Sequence, residues 1–347
     1  MTLTDPRYVL HLLAVAVVTA TICAALIALL LPVLKRHALA RPNARSSHAM
    51  PTPQGAGIAV IAATLLVAGT FATLTNFAIP ALLIGASLFL ALVGFVDDIR
   101  PIPVLPRLLL QATAVAVLLL VIPADMRIVQ ACPLWLERSL LLIAGLWFVN
   151  LVNFMDGLDL MTVAETLPIT ATMILLGWLG EFPATSTAIA AALCGAMLGF
   201  APFNRPVARI FLGDVGSLPI GLLLGWCLLD LALRQHFAAA LLLPLYYLAD
   251  ASATLLRRMA RREPFWVAHR THFYQRATDN GLTVSRIVSE VFALNIFLAI
   301  LAIASVEFES AITSVLSLLA GATAVTLLLY RFSRSHSSLT GRGQLLP

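Results

Sequence analysis

Apolar runs long enough to cross a lipid bilayer recur along this chain, and nothing else in it restricts the fold so severely. From Tyr8 to Leu34 there is no Asp, Glu, Lys or Arg, and the run stops only at Lys35-Arg36. Inside hydrocarbon there is no water for peptide groups, and a run of this length satisfies them internally as a helix. Allowing roughly 17–25 apolar residues per span, eleven spans are expected. They lie near 8–34, 55–77, 79–96, 107–123, 138–153, 161–180, 184–202, 217–235, 237–258, 285–305 and 311–330. The expected fold is an all-α polytopic membrane protein of eleven or so transmembrane helices. Residues 1–330 are read as a single integral-membrane domain, and 331–347, rich in Ser and Arg, as a mobile cytoplasmic tail. Hydrophobic residues make up 60% of the chain and charged residues 11%, which excludes a soluble domain on a single anchor. The first run is far longer than the roughly 7–15-residue core of a secretory signal. It is expected to remain in the mature protein.

An odd number of spans puts the termini on opposite sides, and basic residues decide which. With the N-terminus outside and the C-terminus cytoplasmic, 18 of the 22 Lys and Arg fall in inside segments; Arg7, Arg127, Arg138 and Arg234 remain outside. The net charge of +5 thus reflects cytoplasmic arginine, and no nucleic-acid partner is expected. Cys23, Cys132, Cys194 and Cys227 lie in or beside apolar runs without CxxC spacing, so neither a disulfide framework nor a zinc site is indicated.

The same orientation places three acidic clusters on the cytoplasmic side. Asp97-Asp98 ends the third span, Asp156 and Asp159 follow the fifth, and Asp214 precedes the eighth. Each has a plain structural reading: a helix end entering a turn, an Asp-Gly turn, and a cap with Ser217 as N-cap. Together they point further. Two carboxylates at a helix C-terminus oppose its dipole and repel each other, a conflict that a cation relieves. Asp156 and Asp159 are three apart, which on a helical turn projects them to one side. Carboxylate oxygens with no cysteine nearby suit Mg²⁺, or Mn²⁺, and such sites commonly serve phosphoryl transfer. On the same face, His269-Arg-Thr-His272-Phe-Tyr-Gln275-Arg276 gathers groups able to hold a diphosphate; a contact with lipid headgroups is the alternative. Asp250 and Glu165, inside spans, are read as structural pairing groups facing the bundle interior.

Four segments resemble signature motifs of the polyprenyl-phosphate N-acetylhexosamine-1-phosphate transferases (glycosyltransferase family 4 type). They are Gly94-Phe-Val-Asp-Asp98, Asn153-Phe-Met-Asp-Gly-Leu-Asp159, Phe211-Leu-Gly-Asp-Val-Gly-Ser217 and His269 to Arg276. Pro42 to Pro53 resembles that family's first cytoplasmic loop. The histidine motif is like that of the branch initiating O-antigen and capsule synthesis. One position departs from the family pattern: Asp159 is followed by Leu160 where a glycine is usual.

The resemblance implies transfer of N-acetylhexosamine-1-phosphate from a UDP-sugar to undecaprenyl phosphate, with release of UMP. This would be the Mg²⁺-dependent first step of a cell-envelope polysaccharide such as lipopolysaccharide. It implies a bacterial inner-membrane enzyme working on the cytoplasmic face, with membrane lipid around it and room for a homodimer. Position by position, Asp214 and Asp98 would bind the metal, and Asp97 and Asp98 would act in catalysis. Asn153, Asp156 and Asp159 would line the nucleotide site, with Phe211 on uracil. His269, His272 and Arg276 would hold the diphosphate, and Arg45 and His48 would close the pocket. Two rivals fit less well. A secondary transporter with a cytoplasmic acidic ion site would place ionisable groups near the midplane and often show a repeat. The CDP-alcohol phosphotransferases need an Asp-Gly-x-x-Ala-Arg motif, whereas Asp156-Gly157 continues Leu-Asp-Leu-Met.

Overall fold

The computed structural model describes residues 6–40, 51–264 and 269–334. Its helices are α1 (Pro6–His37), α2 (Gly57–Thr75), α3 (Ala81–Ile99), α4 (Val104–Leu119), α5 (Leu134–Met155), α6 (Met161–Leu179) and α7 (Ala184–Phe200). They continue with α8 (Asp214–Leu233), α9 (Phe237–Leu242), α10 (Leu245–Ala260), α11 (Phe273–Asp279), α12 (Val284–Glu307) and α13 (Ala311–Ser333). Two short strands, β1 (Leu39–Ala40) and β2 (Thr52–Pro53), pair antiparallel after α1.

The expected all-α polytopic architecture is what the chain adopts. Nine helices among the described residues are long and apolar enough to cross a membrane. The other two segments expected to span differ in form. The fourth is the 16-residue α4. The ninth, read as one run over 237–258, is split into α9 and α10 around Pro244, whose ring and missing N–H interrupt a helix. The last helix also continues to Ser333, into the segment read as a tail, where Arg331 bonds Glu290 of α12 at 2.7 Å. Residues 335–347 lie outside the described residues.

Helices α7 and α8 form the centre of the bundle, each with 78% of its apolar window buried, against 22% for α13 at the periphery. Around them pack α1, α2, α3, α5 and α6. Glu165 of α6, fully buried, accepts a hydrogen bond from the Asn295 side-chain amide of α12 at 2.7 Å, which is the structural pairing expected of it. The segment from Pro53 to Gly57 is stitched by backbone hydrogen bonds to Phe211 and Leu212, just ahead of α8. This seam brings the end of the first loop to the start of α8, where the acidic residues gather.

Candidate active site

The site forms where α3 ends, α5 ends and α8 begins. Gly213, immediately before α8, has φ +79°, and a Cβ there would stand 2.6 Å from Asp98 Oδ2, so only glycine fits. Across this gap the Asp98 carboxylate accepts the backbone N–H groups of Asp214 at 2.9 Å and Val215 at 3.1 Å. It also accepts the side-chain amide of Gln54. Asp98 therefore caps the first turn of α8 from another helix, where unpaired N–H groups and the helix dipole favour a negative charge.

Asp97 turns to the other side. Its Oδ1 accepts the Ile102 N–H at 2.5 Å and its Oδ2 the Arg107 guanidinium at 2.8 Å. Asp214 lies beside it, within hydrogen-bonding reach, an approach that two carboxylates tolerate only with a shared proton or a cation. Asp214 Oδ1 accepts from Asn153 Nδ2 at 2.8 Å, and Oδ2 is 3.9 Å from Arg107 Nη1. Two carboxylates, Asp97 and Asp214, thus share one guanidinium, with Asp98 close by. Among the described residues no three carboxylates or imidazoles converge as a ready-made metal cage. A cage is not what Mg²⁺ needs, since it keeps several waters and takes phosphate oxygens beside one or two carboxylates. The donor set suits such an ion, with Asp214 the least committed, since both oxygens of Asp97 and both of Asp98 already hold donors.

The Asp156–Asp159 stretch is not a helical turn; it forms the connection between α5 and α6. Asp156 accepts the Thr162 hydroxyl at 2.5 Å, while Asp159 accepts the Ala208 N–H at 3.0 Å, so the two carboxylates serve different neighbours. Burial raises the Asp156 carboxyl to about 6; the Thr162 bond opposes this, and the charges of Asp98 and Asp159 add to it. Leu160, at the position where the family pattern has glycine, adopts φ +63°. The left-handed backbone is kept, held by Asn204, whose side chain accepts the Leu160 N–H at 2.7 Å and donates to the Ile210 carbonyl at 3.0 Å.

The histidine motif opens α11. His269 and His272 are stacked with ring centroids 5.1 Å apart, and His272 lies 6.4 Å from the Phe154 ring at the end of α5. The Tyr274 hydroxyl donates to the Phe154 carbonyl at 3.0 Å, which docks this loop against the acidic junction. Arg257 and Arg276 both lie over the Phe273 ring, at 4.9 and 5.9 Å. Phe211 is half-buried, its backbone bonded to 53–56. Arg45 and His48 fall outside the described residues.

Four residues of this constellation were not singled out by the motifs: Gln54, Arg107, Asn204 and Asp250. Asp250 is the most consequential. It is fully buried in α10 and bonds His272 Nδ1 at 3.2 Å. The signal available in the sequence was its cost, because an ionisable group within an apolar run persists only with partners.

Comparison with known proteins agrees with the motifs. Residues 80–232 match the family model "Glycosyl transferase family 4". The decaprenyl-phosphate N-acetylglucosaminephosphotransferase of Mycolicibacterium smegmatis (strain ATCC 700084 / mc(2)155) is 34% identical, with 54% of this chain and 52% of that protein aligned. The protein of that name from Mycobacterium tuberculosis (strain ATCC 25618 / H37Rv) is 33% identical over the same shares. The phospho-N-acetylmuramoyl-pentapeptide-transferase of Streptococcus thermophilus (strain CNRZ 1066) is 37% identical over 31% of each chain. The chain spans about half the length of the first of these relatives, and less of the last.

Proposed function

We propose that this chain, kin to the polyprenyl-phosphate N-acetylhexosamine-1-phosphate transferases through its glycosyl transferase family 4 segment, transfers N-acetylhexosamine-1-phosphate from a UDP-sugar to undecaprenyl phosphate. A phosphate oxygen of the lipid forms a bond to the β-phosphorus of the donor. The bond from that phosphorus to the bridging oxygen breaks, and its electron pair leaves with UMP. The lipid phosphate is already anionic at neutral pH, so the obstacle is less proton removal than the meeting of two anions. Asp214, assisted by Asp98 and Asp97, would hold Mg²⁺ (Mn²⁺ as substitute), whose charge would offset that repulsion.

The protein's own groups do the rest. Asp98 fixes the start of α8 and so the place of Asp214. Asn153 orients the Asp214 carboxylate through Oδ1. His269, His272 and Arg276 would neutralise the diphosphate, and Asp156 and Asp159 would line the nucleotide side with Phe211. The observation that carries this reading is the junction itself: carboxylates in excess over guanidinium at three helix ends, with an imidazole and guanidinium loop docked beside them. We place this junction on the cytoplasmic face of a bacterial inner membrane, because the basic residues crowd that side. UDP-N-acetylglucosamine is the first donor to try, and the product would begin a cell-envelope polysaccharide.

The test is UMP release by the purified protein in detergent, with undecaprenyl phosphate, Mg²⁺ and a panel of UDP-N-acetylhexosamines. Release that requires both the lipid phosphate and the metal is expected. Absence of release with every donor, from folded protein, would overturn the reading.

A further inference from the structure

Asp250 stands apart from the acidic junction, in α10, with no side-chain exposure. Its carboxylate accepts from five donors. Two belong to its own helix: the Tyr246 hydroxyl at 3.3 Å and the Thr254 hydroxyl at 3.4 Å. The other three belong to the start of α11: His272 Nδ1 at 3.2 Å and the backbone N–H groups of Phe273 at 3.0 Å and Tyr274 at 3.1 Å. The imidazole of His272 is the only basic side chain within salt-bridge distance of Asp250 among the described residues. A buried charge so placed is expensive to desolvate, and docking a short helix could be done with neutral groups.

The bond to His272 shows what the charge adds. A carboxylate only accepts, so the proton of this contact sits on Nδ1 of His272. That leaves Nε2 as the ring's remaining polar atom. A phosphoryl oxygen arriving there needs an N–H, so the ring that binds it is the doubly protonated one, with Asp250 as its buried counter-charge. The ring is also fixed in place. His272 stacks between His269 and Tyr274, at 5.1 and 5.7 Å between centroids. The Tyr274 hydroxyl reaches the Phe154 carbonyl, one residue from Asn153. Gly157 leaves the room for it: a Cβ there would stand 2.1 Å from that hydroxyl.

We propose that Asp250 is the positioning residue of this site, holding His272 so that its Nε2 faces a phosphoryl oxygen of the substrate while fixing α11 against the acidic junction. The proposal rests on the phosphate-binding role given to His272 above, and its tests are chosen to be separable from that role. The first uses no variant of Asp250: ¹⁵N NMR of ring-labelled histidine in the full-length protein in detergent, with His272→Gln to assign the signal. A proton on His272 Nδ1 is expected in the wild type. A ring protonated at Nε2 alone would overturn the proposal whatever the protein's activity. The second is a double-mutant cycle in kcat/KM for UMP release. Asp250→Asn is expected to lower it by about 10- to 100-fold, and the loss it causes should be markedly smaller in the His272→Gln background than in the wild type. Additive losses would mean that Asp250 acts only on the fold, and would sink the proposal. If the wild type releases no UMP, the transferase reading fails while the NMR result still decides the Asp250–His272 bond.

Discussion

Asp214 and Asp250 are both aspartates in an apolar bundle, one at the start of α8 and one within α10, and their surroundings could hardly differ more. Asp250 is saturated: five donors converge on its two oxygens. Asp214 is crowded by its own kind, with Asp97 and Asp98 at hand and one guanidinium, Arg107, between them. A saturated carboxylate has finished its electrostatic work within the protein. A carboxylate left among like charges has not, and the missing partner must come from outside as a cation or a proton. The balance of donors and charges around each separates an organiser from a binding group, a distinction that the residue type alone does not carry.

The largest effect is expected at the crowded end. Asp214→Asn should cut UMP release by about 10³-fold or more with the thermal melting point unchanged or raised, since one of three repelling charges is removed. Near-wild-type release from this variant would break the contrast at its stronger end. Gly157→Ala attacks the link between the two regions, because its Cβ would collide with the Tyr274 hydroxyl. A loss of about 1–3 kcal/mol in stability, read by thermal melting, should accompany a fall in kcat/KM. A stable and fully active variant would show that α11 need not lean on α5.

A smaller effect concerns Asp156, which sits between the two regions. Its carboxyl is raised to about 6, so in the folded protein it takes up a proton at higher pH than in the unfolded chain. The folded state therefore gains stability from this group as pH falls through 6, and loses its negative charge over the same range. If the charge is needed, the acid limb of the pH–rate profile lies near pH 6. Thr162→Val, which removes the hydrogen bond favouring the ionised form, should move that limb upward. A limb that stays in place would remove Asp156 from the reaction. The smallest change is expected for Leu160→Gly: relief of left-handed strain of about 1 kcal/mol is offset by lost packing of a half-buried side chain. The melting point should shift by only a few degrees, with activity retained.

Much of the architecture was legible because it depends on runs: apolar length gives spans, and acids at span ends give a face. The break at Pro244 was visible too, as a proline within a run, but hydropathy averages across it. What the sequence could not show is which donor meets which acceptor. Gln54 reaches Asp98 across 44 residues, and Asn204 reaches Leu160 across another 44. Asp156 and Asp159 carried a spacing that suggested one helical face, yet the backbone there leaves the helix and sends them to Thr162 and Ala208. Spacing predicts a shared face only where the helix persists. Asp250 was read as a structural pairing group, and pairing is what it does; the partner, His272, is what gives it a bearing on the site.

The distances along the chain also set a timetable for biosynthesis. Asp98 meets the Asp214 N–H 116 residues later, which at ~5–20 residues per second is roughly 6–23 s of translation. Asp250 meets His272 after 22 residues, roughly 1–4 s on the same clock. A carboxylate waiting that long in hydrocarbon would be costly, and one at the end of a helix can stay hydrated until its partner emerges. The acid with the distant partner is the one at a helix end, and the acid within its helix is the one whose partner follows at once. For these two acids the nascent chain avoids a long wait deep in lipid; Glu165, inside α6, is the contrary case, meeting Asn295 only 130 residues later.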